Sequence, residues 1–375
     1  DVARALGIGF ARFVDADQVI VARDMRPSGP ALVDAFSDGL RGQGVDVVDI
    51  GLASTDLLYY ASGRLELPGA MFTASHNPAG YNGVKLCRPG ARPVGIDSGL
   101  ADVRETAAAV LDGSPPPPAT RAGGREERDM LDAFADHVVS FVDASTVGPM
   151  RVVADTANGM GGLVVPAVME RIPGVELEVL FPELDGTFPN HPADPLQTAN
   201  QRDLRARVAS GGFDIGLAFD GDADRVFVVD ESGEGLSGST TTALLAVATL
   251  RQHPGATILY NLICSRAVPE VIREHGGTPV RTRVGHSYIK QEMAETGAVF
   301  GGEHSAHYYF ARNYNADSGL IASLMAMAEV SSSGQPLSVV RKPYERYSSS
   351  GEINTQVDDA AAVIEQVSTA YASYT

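Results

Sequence analysis

The run Val19-Ile20-Val21-Ala22, the charged loop Arg23-Asp24-Met25-Arg26-Pro27-Ser28 and the run Val45-Asp46-Val47-Val48-Asp49-Ile50 together decide the fold. The first run is a compact buried strand. A helical stretch from about Gly29 to Gly42 separates it from the second strand. Another helix near Thr55 to Ser62 leads to a third strand at Ala70 to Thr73. Strand, helix and strand at this spacing predict an α/β unit with parallel strands and right-handed crossovers. Functional loops in such sheets sit at the C-terminal ends of the strands, which places Arg23, Arg26 and Ser75 there.

The loop after the third strand is Thr73-Ala74-Ser75-His76-Asn77-Pro78-Ala79-Gly80-Tyr81-Asn82-Gly83-Val84-Lys85. Asn77-Pro78, Gly80 and Asn82-Gly83 are turn formers. Between them the loop offers a hydroxyl at Ser75, an imidazole at His76 and an ammonium at Lys85. Held by turns at a strand end, such a set can present a nucleophile to an anion. A surface crossover with an incidental serine is the bland alternative.

Composition narrows the partners. The 375 residues exceed what one core encloses, so several domains are expected. Net charge is -18, from 47 acidic against 29 basic residues, and the only lysines are Lys85, Lys290 and Lys342. A field of that sign argues against nucleic acid and against an anionic membrane surface. Any phosphate site must therefore be built locally. Cys87 and Cys264 have no CxxC partner, so neither a disulfide framework nor a thiolate zinc site is suggested, and a reducing, cytoplasmic setting fits. No apolar run is long enough to span a bilayer. The chain begins at Asp1 inside a helical pattern over Val2 to Phe13, so residues upstream are expected to be missing.

Further along, Ser114-Pro115-Pro116-Pro117-Pro118 marks an exposed linker and a helix from Arg128 to Phe141 closes the first domain. A second unit starts with a strand at Met150 to Asp155. The following Asn158-Gly159-Met160-Gly161-Gly162 fails the dinucleotide pattern GxGxxG and reads as a tight strand-to-helix turn. A helix from Leu196 to Ala209 precedes the strand Ile215 to Phe219. The third unit carries a helix Thr240 to Leu250, strands at Thr257 to Asn261 and Thr278 to Arg283, and a short strand at Val299-Phe300. A helix from Asp317 to Val330 follows. The last 45 residues, from Ser331, hold a strand around Gly351 to Gln356 and a helix Asp359 to Ala370. That is too little for an independent core, so the chain is expected to be cut inside a fourth domain.

The second chemical feature is Asp220-Gly221-Asp222-Ala223-Asp224-Arg225, directly after a buried strand. Alternating carboxylates separated by small residues converge on one hard cation, and Mg²⁺ takes such oxygen ligands. Calcium in an EF-hand is a poor alternative, because the 12-residue loop with its terminal glutamate is missing. A merely solvated acidic turn is the alternative, opposed by the mutual repulsion of three carboxylates. Arg225 stands ready to hold a phosphate beside the metal. A serine loop and a metal loop together point to phosphoryl transfer through a serine. Glu303 and Ser305 offer hydrogen-bonding groups suited to sugar hydroxyls, while His286, His304, His307 and Lys290 can contact anionic or hydroxyl groups.

These motifs resemble the α-D-phosphohexomutase superfamily, in its phosphomannomutase/phosphoglucomutase branch. Thr73-Ala74-Ser75-His76-Asn77-Pro78 resembles the phosphoserine loop and Asp220 to Arg225 the metal loop. Gly301-Gly302-Glu303-His304-Ser305-Ala306-His307 resembles the sugar-binding loop, and Val284-Gly285-His286-Ser287 a further third-domain loop. All four occur in family order. The resemblance implies consecutive α/β domains with mixed sheets around a central cleft: residues 1–145 for the phosphoserine, 146–237 for the metal, 238–342 for the sugar, and 343–375 as the start of a truncated α+β phosphate-binding domain. It implies that Ser75 is phosphorylated and that Mg²⁺ is held by Ser75, Asp220, Asp222 and Asp224. A hexose 1-phosphate would become a 1,6-bisphosphate, turn over, and leave as the 6-phosphate.

By the same resemblance Ser75, His76, Lys85, Arg225 and His286 are catalytic, with Lys85 a general acid/base or a charge stabiliser. Arg23, Arg26, Glu303, Ser305 and His307 bind substrate, the two arginines orienting first-domain groups. The partners implied are hexose phosphates with a hexose 1,6-bisphosphate activator, in a monomer or weak dimer. Mannose is the preferred sugar and glucose is acceptable, since the two share the 3- and 4-hydroxyls. His304 stands where bacterial relatives often have methionine, and Ala306 replaces a common glycine. The family's Tyr-Asp-Ile-Arg-Gly segment and its fourth-domain Arg-Ser-Thr-Glu-Pro loop are absent. Phosphoglucosamine mutase, an inactive sugar-phosphate binder and a phosphatase are the alternative readings.

Overall fold

The structure, a computed structural model, describes residues 1–349, 351, 353 and 355–374, and of His286 and Tyr374 the backbone alone. Asp1–Glu345 and Arg346–Thr375 form separate compact units. Three mixed sheets build the first. The sheet nearest the N-terminus joins β1 (Gln18–Arg23), β2 (Asp46–Leu52), β3 (Gly69–Phe72), β4 (Val84–Arg88), β5 (Arg92–Pro93) and β6 (Arg125–Glu127) in the order β5-β4-β3-β1-β2-β6. β1 runs parallel to both β2 and β3, as the strand–helix–strand spacing predicts. β4 returns antiparallel to β3 and places Lys85 opposite Met71. Lys85 thus stands in a strand rather than in the loop expected for it.

Alternation along β1 shows how this sheet is covered. Val19 and Val21 face a cluster with Phe10, Phe36, Leu40 and Val103. Ile20 and Ala22 face the opposite way, into a larger cluster with Leu57 and Leu58 that continues through Val152, Leu217, Leu244 and Leu324. Each of these side chains except that of Ala22 contributes about 1.5–3 kcal/mol through burial. The helix Thr55–Leu65 therefore sits inside the unit, between the first sheet and the rest.

The second sheet is ordered β10-β9-β7-β8, from β7 (Met150–Asp155), β8 (Val175–Leu180), β9 (Ile215–Phe219) and β10 (Val226–Asp230). β9 and β10 are antiparallel, with Phe219 opposite Val226. The acidic loop is thus a hairpin connection, and β10 is a strand that was not expected. The third sheet follows the order β12-β11-β13-β14-β15, built from β11 (Thr257–Asn261), β12 (Thr278–Thr282), β13 (Phe300–Gly302), β14 (Tyr308–Phe310) and β15 (Ala316–Asp317). Its sugar-loop candidate joins the antiparallel pair β13 and β14.

The helix expected from Leu196 begins later. Thr198–Gln201 form a single tight turn and the helix proper is Arg202–Ala209. Asn200 and Gln201 instead use their side-chain amides on the carbonyls of Asp194 and Pro195, which competes with helical pairing. The strand expected over Gly351 to Gln356 includes residues 352 and 354, which lie outside the described residues; 351, 353, 355 and 356 are not in a strand. In the unit Arg346–Thr375 the helix is Ala360–Ala370, capped by Asp359, whose carboxylate accepts from Ala362 N. Among the described residues no helix is long and apolar enough to cross a membrane.

Candidate active site

Arg26 organises the serine loop. It is wholly buried, and all five guanidinium N–H groups are used. Nε donates to Asp24 Oδ2 at 3.1 Å; Nη1 donates to the carbonyls of Pro78 and Tyr81 at 2.8 and 2.9 Å; Nη2 donates to those of Ser75 and Asn77, both at 2.7 Å. No donor remains for a substrate. The expectation that Arg26 binds substrate is corrected on that count, although it does orient the first-domain groups. Turn bonds complete the loop: Ser75 N donates to Thr73 Oγ1 at 2.9 Å and Asn77 N to Ala74 O at 3.0 Å. Ser75 itself is left-handed at φ 50°, a costly conformation for a serine that the surrounding bonds enforce.

The serine loop meets the acidic hairpin directly. Ser75 Oγ donates to Asp220 Oδ2 at 2.8 Å, and Arg225 Nη2 donates to Ser75 Oγ at 2.9 Å. Arg225 Nε also donates to Asp220 Oδ2, at 2.9 Å. His76 Nδ1 lies 3.3 Å from Ser75 Oγ and takes a short bond from Arg225 Nη2. Burial, and then the Arg225 charge, push the His76 imidazole below its ordinary pKa. A neutral ring accepting from the guanidinium fits that geometry.

Lys85 reaches across from β4, with Nζ 2.7 Å from both Asp222 Oδ2 and Asp224 Oδ2. Burial pulls its pKa down, but the two carboxylates outweigh this and hold it well above its ordinary value. Of the two roles expected for Lys85, the charged one fits this geometry. Burial raises Asp220 to about 8 against the pull of Arg225, while the Lys85 ammonium overcomes the burial of Asp222 and holds that carboxyl below the usual range.

The three aspartates are fully buried or nearly so, and ligand atoms of all three lie within 4.8 Å of one another. Asp222 Oδ1 and Asp224 Oδ1 are buried without a hydrogen-bond partner, whereas Oδ2 of each is bonded by Lys85. Two buried carboxylate oxygens without a hydrogen bond, in a loop whose three carboxylates come within 4.8 Å of one another, fit a hard divalent cation.

The sugar-loop candidate is tied to the same place. Backbones of Arg225 and His307 pair as an isolated antiparallel bridge. His307 Nε2 lies 3.6 Å from Asp224 Oδ1 and its Nδ1 lies 3.4 Å from Glu303 Oε2. Ser305 Oγ is 3.1 Å from His307 Nδ1. Glu303 is buried, its Oε1 accepting from Asn261 Nδ2 at 3.1 Å and its Oε2 from Tyr309 OH at 2.7 Å. In this conformation Ser305 and His307, like His304, are partly exposed, and Glu303 braces His307. Ala306 has φ 65°, a region where glycine costs least, so the alanine bears a backbone cost that a glycine at this position avoids. His304 turns to Ser239 Oγ, 2.9 Å from its Nδ1.

Residues 1–106, 132–233 and 237–347 match family models for phosphoglucomutase/phosphomannomutase α/β/α domains I, II and III respectively. The phosphohexose mutases protein of Xanthomonas campestris pv. campestris strain B100 is 39% identical over 373 residues, covering 99% of this chain and 82% of the relative. A phosphomannomutase of Salmonella montevideo is 37% identical over 379 residues, with 99% and 82% covered. The X-ray structure of a phosphoglucomutase/phosphomannomutase family protein from Burkholderia thailandensis superimposes with TM-score 0.83 at 34% identity, covering 91% of this chain and 75% of that one. The chain belongs to the phosphoglucomutase/phosphomannomutase family. With that membership comes intramolecular phosphoryl transfer of the phosphohexose-mutase type.

Most of the family-type site residues expected in the chain converge: Ser75, His76, Lys85, Asp220, Asp222, Asp224, Arg225, Glu303, Ser305 and His307 form one connected cluster. Arg23 does not join it. Arg23 lines a separate charged cavity of about 490 Å³ with Asp34, Asp49, Arg125 and Arg128. The side chain of His286 lies outside the described residues; its backbone opens the helix His286–Thr296. Sequence reasoning missed Thr55, Asn261 and Tyr309. The first two are polar residues at element ends beside site loops, a usable signal. Tyr309 lies inside a strand and gives none.

Proposed function

We propose that this phosphohexose mutase interconverts hexose 1-phosphates and 6-phosphates through a phosphoserine at Ser75, with mannose preferred and glucose accepted. The observation that carries the reading is the contact of Ser75 Oγ with Asp220 Oδ2, at 2.8 Å, beside the bare oxygens of Asp222 and Asp224. The relatives named phosphomannomutase support the sugar choice.

Asp220, Asp222 and Asp224, with an oxygen of phosphorylated Ser75, would hold Mg²⁺, which when bound offsets charge on the transferring phosphoryl group. Arg225 donates to Ser75 Oγ, so its guanidinium stabilises the serine oxygen as the Oγ–P bond breaks and the phosphoryl passes to a sugar hydroxyl. His76, neutral, accepts from Arg225 and fixes the plane of that fork. Lys85 remains a cation between Asp222 and Asp224 and sets their spacing. Ser305 and His307 face the sugar, with His307 braced by Glu303. Return of the phosphoryl from the 1,6-bisphosphate to Ser75 Oγ after the sugar has turned completes the cycle.

The division of labour proposed is nucleophile from residues 1–145, metal from 146–237, sugar recognition from 238–342 and non-reacting phosphate from 343 onward. Protein supplied with Mg²⁺ and a trace of glucose 1,6-bisphosphate should convert mannose 1-phosphate to mannose 6-phosphate. No turnover of any hexose or hexosamine phosphate would overturn the reading. Ser75→Ala should abolish phosphoprotein and turnover together.

A further inference from the structure

The helix Thr55–Leu65 starts against the acidic hairpin, and its first residue is bound to it twice. Thr55 N donates to Asp222 O at 3.1 Å, and Thr55 Oγ1 donates to Asp222 Oδ2 at 2.5 Å. Both residues are fully buried. A first-turn N–H has no partner inside its own helix, so Asp222 satisfies one of the orphan donors and sits at the positive end of the helix dipole. Ser54 caps the same helix, accepting from Leu57 N at 3.3 Å.

We infer that Thr55 is a positioning residue for the metal ligand Asp222: its hydroxyl fixes Oδ2 so that Oδ1 faces the cation. This rests on the reading of Asp220, Asp222 and Asp224 as the divalent-ion ligands. A carboxylate is free to rotate about its Cβ–Cγ bond unless one oxygen is tied. Here Oδ2 accepts from Thr55 and from Lys85, while Oδ1 is buried with no donor. The asymmetry chooses which oxygen is offered. Lys85 alone is a poor anchor because it is shared with Asp224 and sits on a flexible stem. Thr55 is branched at Cβ and locked in a helix; its hydroxyl proton goes to Asp222 Oδ2, and its oxygen also accepts from Lys85 Nζ at 3.4 Å. It comes from the helix packed on the first sheet, whereas its target lies in the connection between β9 and β10, so the nucleophile half of the site sets the geometry of the metal half through it.

A partner that orients a ligand is worth about 10–100-fold in metal affinity. The experiment measures Mn²⁺ binding to the full chain by electron paramagnetic resonance and calorimetry. Thr55→Val keeps the shape and removes the hydroxyl; Thr55→Ser keeps the hydroxyl. Thr55→Val should weaken Mn²⁺ binding about 10–100-fold, and Thr55→Ser should restore it. Melting in chelator records any purely structural loss separately. Thr55→Val binding Mn²⁺ as tightly as the parent, or Thr55→Ser failing to restore what Thr55→Val loses, overturns the inference. Should Thr55→Val fail to fold, Thr55→Ala makes the same comparison. Asp222→Asn is the control for the underlying reading: undiminished Mn²⁺ binding there removes the acidic hairpin as the metal site, whatever Thr55 does.

Discussion

Ser75 Oγ and Asp220 Oδ2 are 2.8 Å apart although 145 residues separate them in the chain. Two sheets are joined at one oxygen, and Arg225 bonds both partners. Asp220→Asn removes the carboxyl oxygen that accepts from both Ser75 Oγ and Arg225 Nε, and one of the three carboxyls of the acidic cluster. Turnover should fall about 10²–10³-fold, the size of losing one preorganised electrostatic partner. A coupled mutase assay reads this, and parental turnover would show that Asp220 takes no part.

The same junction depends on a glycine. A Cβ on Gly221 would stand 2.5 Å from the Ser75 carbonyl oxygen, a contact that backbone cannot absorb. Gly221→Ala must separate the serine loop from the hairpin, at a cost of about 1–3 kcal/mol for the overpacking. Both melting temperature and turnover should drop. Gly80→Ala, in the serine loop but with nothing within 4 Å of its added Cβ, should leave melting unchanged. Equal behaviour of the two variants would mean that loop contact is unimportant.

Arg26 makes a third case, in which chemistry and scaffolding separate. Lysine keeps the charge but offers three donors in place of five, and cannot fork between Asp24 and four loop carbonyls. Arg26→Lys should lose about 3–5 kcal/mol of stability, read from the urea midpoint, because it leaves buried groups unpaired. A midpoint matching the parent's would show that the loop holds itself.

Parallel α/β units, the serine loop and the three-aspartate loop were legible because each depends on local pattern: apolar runs, turn formers, alternating carboxylates. Arg26 was misassigned for a reason the sequence cannot show. A charged residue at a strand end reads as exposed, and only the fold reveals that four carbonyls of another loop surround it. Lys85 was placed in a loop because β4 is short and half polar, and its pairing with β3 is a nonlocal fact. Glu303 looked open to a sugar, yet Asn261 and Tyr309, from two neighbouring strands, close over it. Hydrogen bonds between distant segments decided each of these.

Asp56 offers a test that involves no ligand. Its carboxylate is fully buried between Ser318 Oγ, donating at 2.6 Å, and a short bond from Ser54 Oγ. Burial raises its pKa from 3.8 to about 7, against the opposing pull of the two hydroxyls. Across that window the folded chain keeps a proton that the unfolded chain has released. Stability therefore falls as pH rises from near 4 to near 7, and the full cost is present above 7. Asp56→Asn keeps the shape and removes the titration. Between pH 5 and pH 8 the variant should gain on the order of 2–3 kcal/mol relative to the parent, measured by urea unfolding in the same buffers. Groups unaffected by the substitution cancel in that difference, so a gap that stays constant with pH would show that Asp56 is ionised throughout and held by its two serines.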